Sequence, residues 1–145
     1  MAIALLPITL TSAGVAALIN FWLAFRCGRL RAASGGGLGT DGNALLLARS
    51  RSHANFAEYA PFILILIAVI ELAEGSSVWL AVASALFFVG RIAHPLGMED
   101  RLPQGRLIGT ILALLALLVL GIYAISLPLR APAPPAAVTA PPQQG

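Results

Sequence analysis

The chain has 145 residues, enough for a single domain. Hydrophobic residues make up 59% of it and charged residues only 10%, against roughly 25% charged residues in ordinary soluble domains. A soluble fold of this size could not cover so much apolar surface with so few charges. The composition therefore excludes a soluble domain and indicates an integral membrane protein.

All nine basic residues are arginine, and the net charge is +3. The arginines lie in short segments between apolar runs, which is typical of topology marking by the positive-inside rule and not of nucleic-acid binding. Arginine also suits bidentate contact with carboxylates, and both interpretations remain open. A single cysteine, Cys27, excludes an intramolecular disulfide, and with only two histidines no metal site is expected.

The first apolar run covers residues 3–25 and is long enough to cross a bilayer at about 1.5 Å per residue. A cleaved signal peptide is the alternative, but it would need a basic residue before an apolar core of roughly 7–15 residues. The run is therefore interpreted as a retained helix. Residues 26–43 carry three arginines and a glycine run, and they are predicted to form a loop.

Three further helices are predicted, at about 43–73, 78–94 and 106–127. Asn43 is a suitable N-cap for the second helix, Pro61 is expected to kink that helix or to mark where it meets the hydrocarbon, and Pro95 is expected to end the third. The sequence thus predicts an all-α, integral membrane, antiparallel four-helix bundle over residues 1–128. The Pro/Ala-rich tail, 129–145, is predicted to be disordered.

Charge predicts the orientation of this bundle. The segment between the first two helices contains five arginines, the segment between the last two contains two, and the middle turn contains only acidic residues. By the positive-inside rule both basic segments are cytoplasmic and both termini lie outside. The residues concerned are Arg26, Arg29, Arg31, Arg49 and Arg51, then Arg101 and Arg106, and in the middle turn Glu71 and Glu74.

A polar face occurs where the second helix meets the membrane. At about 100° per residue, Arg51, Asn55 and Glu58 fall within roughly a 60° arc, and Tyr59 flanks it. Burying such groups costs several kcal/mol unless they are paired. One interpretation is an internal network in which Asn55 bridges Arg51 and Glu58. The other is a zwitterionic ligand whose carboxylate binds Arg51 and whose amine binds Glu58.

A second polar group closes the third helix. Arg91, His94 and Met98 have spacings of i, i+3 and i+7 and share a stripe at the same membrane face as Arg51. Arg91 has a structural interpretation as the partner of an acid such as Glu58. His94 has one as a partner of the helix dipole or as a hydrogen-bonding core residue.

The pattern Arg-x-x-x-Asn-x-x-Glu-Tyr at 51–59, followed by Gly-Arg-Ile-Ala-His at 90–94, resembles the MAPEG family, the membrane-associated proteins of eicosanoid and glutathione metabolism. The resemblance covers roughly residues 26–127 and is closest to the short bacterial members. It implies a homotrimer in a bacterial inner membrane, with glutathione as cosubstrate bound between subunits near the cytoplasmic face. It also implies transferase or peroxidase activity on lipophilic electrophiles or hydroperoxides, with membrane lipid and no nucleic acid as partners.

The resemblance also assigns residues. Arg106 is the nearest match to the arginine that activates the thiol, with Arg101 as the alternative alignment. Met98 stands where several members of the family carry a tyrosine, and a methionine cannot donate a hydrogen bond. The glutathione-binding positions correspond to Arg29 (or Arg31), Arg51, Asn55, Glu58, Tyr59, Arg91 and His94.

Two other functions remain as alternatives to a glutathione-dependent enzyme. One is a non-enzymatic membrane trimer whose Arg/Asn/Glu network is structural. The other, a small-solute transporter or proton relay, is suggested by the intramembrane arginine and glutamate. It ranks last because the sequence has no inverted repeat or pair of broken helices.

Overall fold

The computed structural model describes residues 5–37, 39–40 and 42–130. In this part the chain forms four α-helices, each long and apolar enough to cross a membrane. The prediction of an all-α fold with four membrane-spanning helices is confirmed. Residues 131–145, most of the tail predicted to be disordered, lie outside the described part. The helices are α1 (Pro7–Ala33), α2 (Ala44–Glu74), α3 (Val78–Met98) and α4 (Gly105–Arg130).

The prediction of a loop from residue 26 is wrong, because α1 continues to Ala33. Charged side chains end the part of a helix that lies in hydrocarbon, but arginine, leucine and alanine all favour the helix itself. The helix ends only before Gly35 and Gly36, whose φ angles of 97° and 76° are left-handed. The arginines assigned to a loop therefore extend the end of α1.

The third helix also passes its predicted end and continues through Pro95 to Met98. A proline removes one backbone hydrogen bond, but here its ring is fully buried, and packing offsets the loss. The Glu99 N–H still donates to the Pro95 carbonyl at 3.2 Å. The N-cap of α2 is as expected, since the Asn43 side chain accepts from the Leu46 N–H at 3.0 Å.

Successive helices run antiparallel, so that α2 and α4 point the same way, as contacts at one end of the bundle show. Glu71, near the end of α2, binds the start of α1 at Ile8 and Thr9. Glu74, the last residue of α2, accepts a 2.6 Å hydrogen bond from Tyr123 near the end of α4. Both α2 and α3 contact all the other helices, whereas α1 and α4 do not contact each other in the described part of the chain.

The interior is aliphatic and aromatic, and large apolar side chains also cover much of the outer surface of the bundle. Such a surface suits lipid, whose tails are as apolar as leucine. The most deeply buried large apolar side chains are Leu46, Ile63, Ile67, Ile70, Leu80, Phe87 and Leu120.

Glycines allow α3 and α4 to approach very closely. A Cβ atom at Gly109 would lie 2.5 Å from the Gly90 carbonyl oxygen and 2.6 Å from the His94 Cβ. One at Gly105 would lie 2.6 Å from the Ala93 carbonyl oxygen. Gly105 and Gly109 form a Gly-x-x-x-Gly pair, the spacing that brings membrane helices into backbone contact.

Glu71 closes the end of the bundle where α1 begins and α2 ends, because its carboxylate caps α1 and not its own helix. It is almost fully buried and accepts from the Ile8 N–H at 3.0 Å and from both the N–H and the hydroxyl of Thr9 at 2.7 Å. The Ser76 hydroxyl donates a further 2.7 Å bond. The first amides of α1 lack partners within that helix, and the residue before it, Leu6, makes no side-chain cap.

Candidate functional site

The polar face of α2 lines a cavity of about 270 Å³ near the end of the bundle where α2 begins. Arg51, Asn55 and Glu58 all contribute to its wall, together with Ala54. Their positions follow from helical spacing, since residues three and four apart are neighbours on a helix surface. The structure therefore brings together the three residues that the sequence places on one face.

The opposite walls come from α3 and α4. His94 and Met98 project from α3, and Arg106 and Thr110 project from α4. The glycine contacts explain this proximity, because backbone contact at Gly109 places the first turns of α4 against the last turns of α3. Three helices thus contribute to one polar cavity.

The three charged residues of this wall, Arg51, Glu58 and Arg106, are exposed on the single chain. Within residues 5–37, 39–40 and 42–130, none of their side chains forms an ion pair with another protein group. Two guanidinium groups and one carboxylate are therefore free to bind a ligand. The structure does not contain the predicted internal network in which Asn55 bridges Arg51 and Glu58.

Asn55 instead binds Arg91, whose Nη2 donates to the Asn55 Oδ1 at 2.8 Å. Arg91 is fully buried, and its guanidinium carbon lies 5.8 Å from the centre of the Phe56 ring and 5.6 Å from that of Tyr59. Its Nε and Nη1 have no hydrogen-bond partner among the described residues. The expectation that an acid such as Glu58 pairs with Arg91 is wrong, because aromatic faces and an amide surround the cation.

Arg91 and the half-buried Tyr59 lie behind the cavity wall and do not line it. The hydrogen bond from Arg91 fixes the orientation of the Asn55 amide, because the side-chain oxygen accepts from it and the NH₂ group is left as the donor. Arg91 is thereby placed to position Asn55, and the Tyr59 ring packs against Arg91.

His94 is buried, yet it reaches the cavity wall. Its Nδ1 has no hydrogen-bond partner in the described part of the chain. A buried imidazole nitrogen without a partner calls for a specific explanation, and a donor or acceptor on a ligand in this cavity would supply one.

Of the two arginines considered as thiol activators, only Arg106 lines the cavity. Arg101 instead lies 3.4 Å from Glu99, measured from Nε to Oε2, and is 62% exposed. Arg29 is also outside the cavity: it borders a separate one beside α1.

The cluster around Glu99 was not predicted from the sequence. This carboxylate is 1% exposed and pairs with Arg26 and Arg49, the latter at 3.3 Å, so it ties α3 to α1 and α2. An up-down bundle places the end of α1, the start of α2 and the end of α3 at the same membrane face. The predicted up-down topology could have indicated this cluster, because it brings the arginines that mark orientation next to the acids that follow α3.

The described residues contain no group of three His, Cys, Asp or Glu side chains that could hold a metal ion. In comparisons with known proteins, the model of the MAPEG family matches residues 9–126. No curated protein and no solved structure matches the chain.

Proposed function

Because this chain belongs to the MAPEG family, we propose that it is a membrane-bound, glutathione-dependent transferase or peroxidase acting on lipophilic electrophiles or hydroperoxides. One observation carries the proposal: α2, α3 and α4 bring two unpaired arginines, an unpaired glutamate, an amide and an imidazole to a single cavity. Glutathione has carboxylates, an ammonium group and a thiol. The cavity offers Arg51 for a carboxylate, Glu58 for the ammonium group and Arg106 for the sulfur.

Arg106 would act on the thiol through charge. A free thiol has a pKa of about 8.5, so little thiolate exists at neutral pH. A guanidinium group beside the sulfur stabilises the anion, and each unit by which the pKa falls corresponds to about 1.4 kcal/mol. The thiolate then forms a bond to the electrophilic carbon while the leaving group departs with its electron pair, and the thiol proton passes to water.

Asn55 and His94 are proposed to orient the bound glutathione. Arg91 and Tyr59 do not line the cavity and would act indirectly: Arg91 holds Asn55 in place, and the Tyr59 ring packs against Arg91. The predicted contribution of Arg29 requires the homotrimer that the family resemblance implies, because a single chain does not bring this residue to the cavity.

The proposed orientation keeps both basic segments in the cytoplasm and both termini outside, in a bacterial inner membrane. Its support is the contrast between the two ends of the bundle, with arginines around Glu99 at one end and Glu71 and Glu74 at the other. Labelling of single cysteines from either side of intact membranes measures the orientation, with Cys27 first replaced by serine. Labelling of a cysteine at Ser76 from the cytoplasmic side would contradict it.

The decisive experiment is isothermal titration of glutathione into the detergent-purified protein. Glu58→Gln removes the only acid among the described residues of the cavity wall and is expected to abolish binding. Glu74→Gln removes the same charge at the other end of the bundle and is expected to leave binding intact. Equal binding by the wild type and by Glu58→Gln would refute the assigned site.

A structural, non-enzymatic function is the second candidate, favoured by the Arg91–Asn55 hydrogen bond, which joins α3 to α2. In that case neither the wild type nor Glu58→Gln binds glutathione, and assembly, measured by light scattering, is unchanged in the variant. Asn55→Ala, in contrast, would destabilise the protein by leaving Arg91 without a hydrogen bond.

A further inference from the structure

One sulfur atom in the wall of the glutathione cavity has no part in the proposed function: the thioether of Met98. This residue ends α3, is half-buried, and lines the cavity. The sequence has one other methionine, Met1, which lies outside the described residues. Cys27 is buried away from the cavity wall, with its Sγ 3.3 Å from the Ser50 Oγ. Within the described part of the chain, Met98 therefore supplies the only sulfur that reaches the cavity.

Backbone contact holds Met98 next to the start of α4. Gly97 precedes it, and a Cβ atom at Gly97 would overlap the backbone nitrogen of Arg106 and lie 2.6 Å from the Gly105 carbonyl carbon. His94, one turn before Met98, lines the same cavity and has a buried Nδ1 without a hydrogen-bond partner among the described residues. A ligand in this cavity of about 270 Å³ therefore meets the Met98 sulfur, a guanidinium group and an imidazole together.

The chemistry of these groups suits oxygen transfer from a hydroperoxide. A methionine thioether is polarizable and is oxidised reversibly to the sulfoxide. Its sulfur lone pair forms a bond to the outer oxygen of the hydroperoxide while the O–O bond breaks, and the proton on that oxygen passes to the departing alkoxide. The sulfur loses two electrons, the peroxide gains them, and the products are methionine sulfoxide and an alcohol. The Arg106 guanidinium stabilises the negative charge that develops on the departing oxygen.

We propose that Met98 is a modification site, oxidised to the sulfoxide by a lipophilic hydroperoxide that enters the cavity when glutathione is absent. The proposal rests on the proposed function, which places hydroperoxides among the substrates. Oxidation converts an apolar side chain into a polar one, and the new sulfoxide oxygen accepts a hydrogen bond from the Arg106 guanidinium. That group is then no longer free to activate a thiol. The enzyme is switched off when peroxide outlasts glutathione, and methionine sulfoxide reductases restore it.

The test exposes the detergent-purified, full-length protein, free of glutathione, to cumene hydroperoxide and follows sulfoxide formation by peptide mass spectrometry. The matched control combines Met98→Leu with Leu102→Met, which moves the thioether four residues along the chain and off the cavity wall. Leu102 is 39% exposed, whereas Met98 is half-buried, so exposure alone predicts faster oxidation in the control. We expect Met98 to be oxidised about tenfold faster or more, because one preorganised donor to a developing oxyanion contributes about a hundredfold in rate. Equal or faster oxidation at position 102 would overturn the proposal.

The loss of activity is tested on the same samples after the peroxide is removed. Conjugation by the wild type should fall about tenfold from its own untreated rate, the effect of a one-unit rise in the thiol pKa, and methionine sulfoxide reductases should restore it. Met98→Leu should keep its own untreated rate. Equal loss in the wild type and in Met98→Leu would show that oxidation elsewhere, as at Cys27, inactivates the protein, and it would overturn the switch.

Glutathione titration of the wild type separates this proposal from the proposed function. If the wild type binds glutathione but Met98 is oxidised no faster than the control position, the modification site is refuted and the proposed function stands. If the wild type does not bind glutathione, the proposed function fails, and faster oxidation at Met98 still shows that the cavity binds hydroperoxides. S-methylglutathione, which has no free thiol, should protect Met98 and leave oxidation at position 102 unchanged; no protection at a saturating concentration would overturn the proposal.

Discussion

The contact between α3 and α4 can be tested at a single glycine, because Gly109→Ala adds one methyl group where the backbones meet. The new Cβ would lie 2.5 Å from the Gly90 carbonyl oxygen, whereas carbon and oxygen normally approach to about 3.3 Å. The helices must therefore separate locally by about 0.8 Å. Overpacking of this kind costs roughly 1–3 kcal/mol, and the higher helix propensity of alanine returns about 1 kcal/mol.

Gly121→Ala is the matched control, since it makes the same change in the same helix at a site where, among the described residues, no atom outside the local helix backbone lies within 4 Å of the new Cβ. Its unfolding free energy should rise by about 1 kcal/mol from the higher helix propensity of alanine alone. The unfolding free energy of Gly109→Ala is thus expected to lie about 1–3 kcal/mol below that of Gly121→Ala, measured by denaturant titration in detergent micelles.

A functional consequence follows from the same displacement. Arg106 lies one turn before Gly109 and His94 lies directly against it, so widening this contact moves two walls of the cavity apart. Misplacement of catalytic groups by about 1 Å can cost a hundredfold in rate. Equal stability and equal glutathione conjugation in the two alanine variants would refute the argument that backbone contact sets the cavity.

Substitutions at Arg106, Glu71 and Glu99 have definite expectations, the last with Arg101→Gln as its control. Arg106→Ala should slow glutathione conjugation to a chloronitrobenzene at neutral pH by tenfold or more. It should also move the rise of the pH–rate profile to higher pH, since raising the thiol pKa by one unit lowers the thiolate concentration about tenfold. A full rate at every pH would show that another group activates the thiol. Glu71→Ala should lower the unfolding free energy by about 1–3 kcal/mol, because the partly buried amides of Ile8 and Thr9 lose their acceptor; unchanged denaturant stability would show that water caps them equally well. Glu99→Gln should destabilise the protein by about 1–3 kcal/mol, because the partly buried Arg26 and Arg49 lose their charged hydrogen bonds to it. Arg101→Gln, which removes a largely exposed partner, should cost about 1 kcal/mol or less; equal losses in denaturant titration would contradict this assignment.

The fold was predictable because its main determinant is local. Runs of apolar residues longer than a bilayer is thick specify spanning helices, and Asn43 caps α2 as its residue type suggests. The ends at Ala33 and Met98 were not predictable by the same logic. Charge and proline mark where hydrocarbon ends or a hydrogen bond is lost, while the helix itself continues where neighbouring helices support it.

The cavity was predictable only in part, for a similar reason. Helical spacing placed Arg51, Asn55 and Glu58 on one face, but spacing within one helix does not identify partners on another. The Arg91–Asn55 bond depends on how α3 packs on α2. The Glu99 cluster likewise depends on three helix ends meeting, which a single chain pattern does not specify.

The capping of α1 by Glu71 constrains how the protein is assembled in the membrane. When α1 leaves the ribosome, the carboxylate that will satisfy its leading amides is still some sixty residues away in the chain. Until α2 has crossed the bilayer, water or headgroups must solvate those amides. The first helical hairpin, and not the first helix alone, is therefore the smallest unit with a complete set of backbone partners at that end.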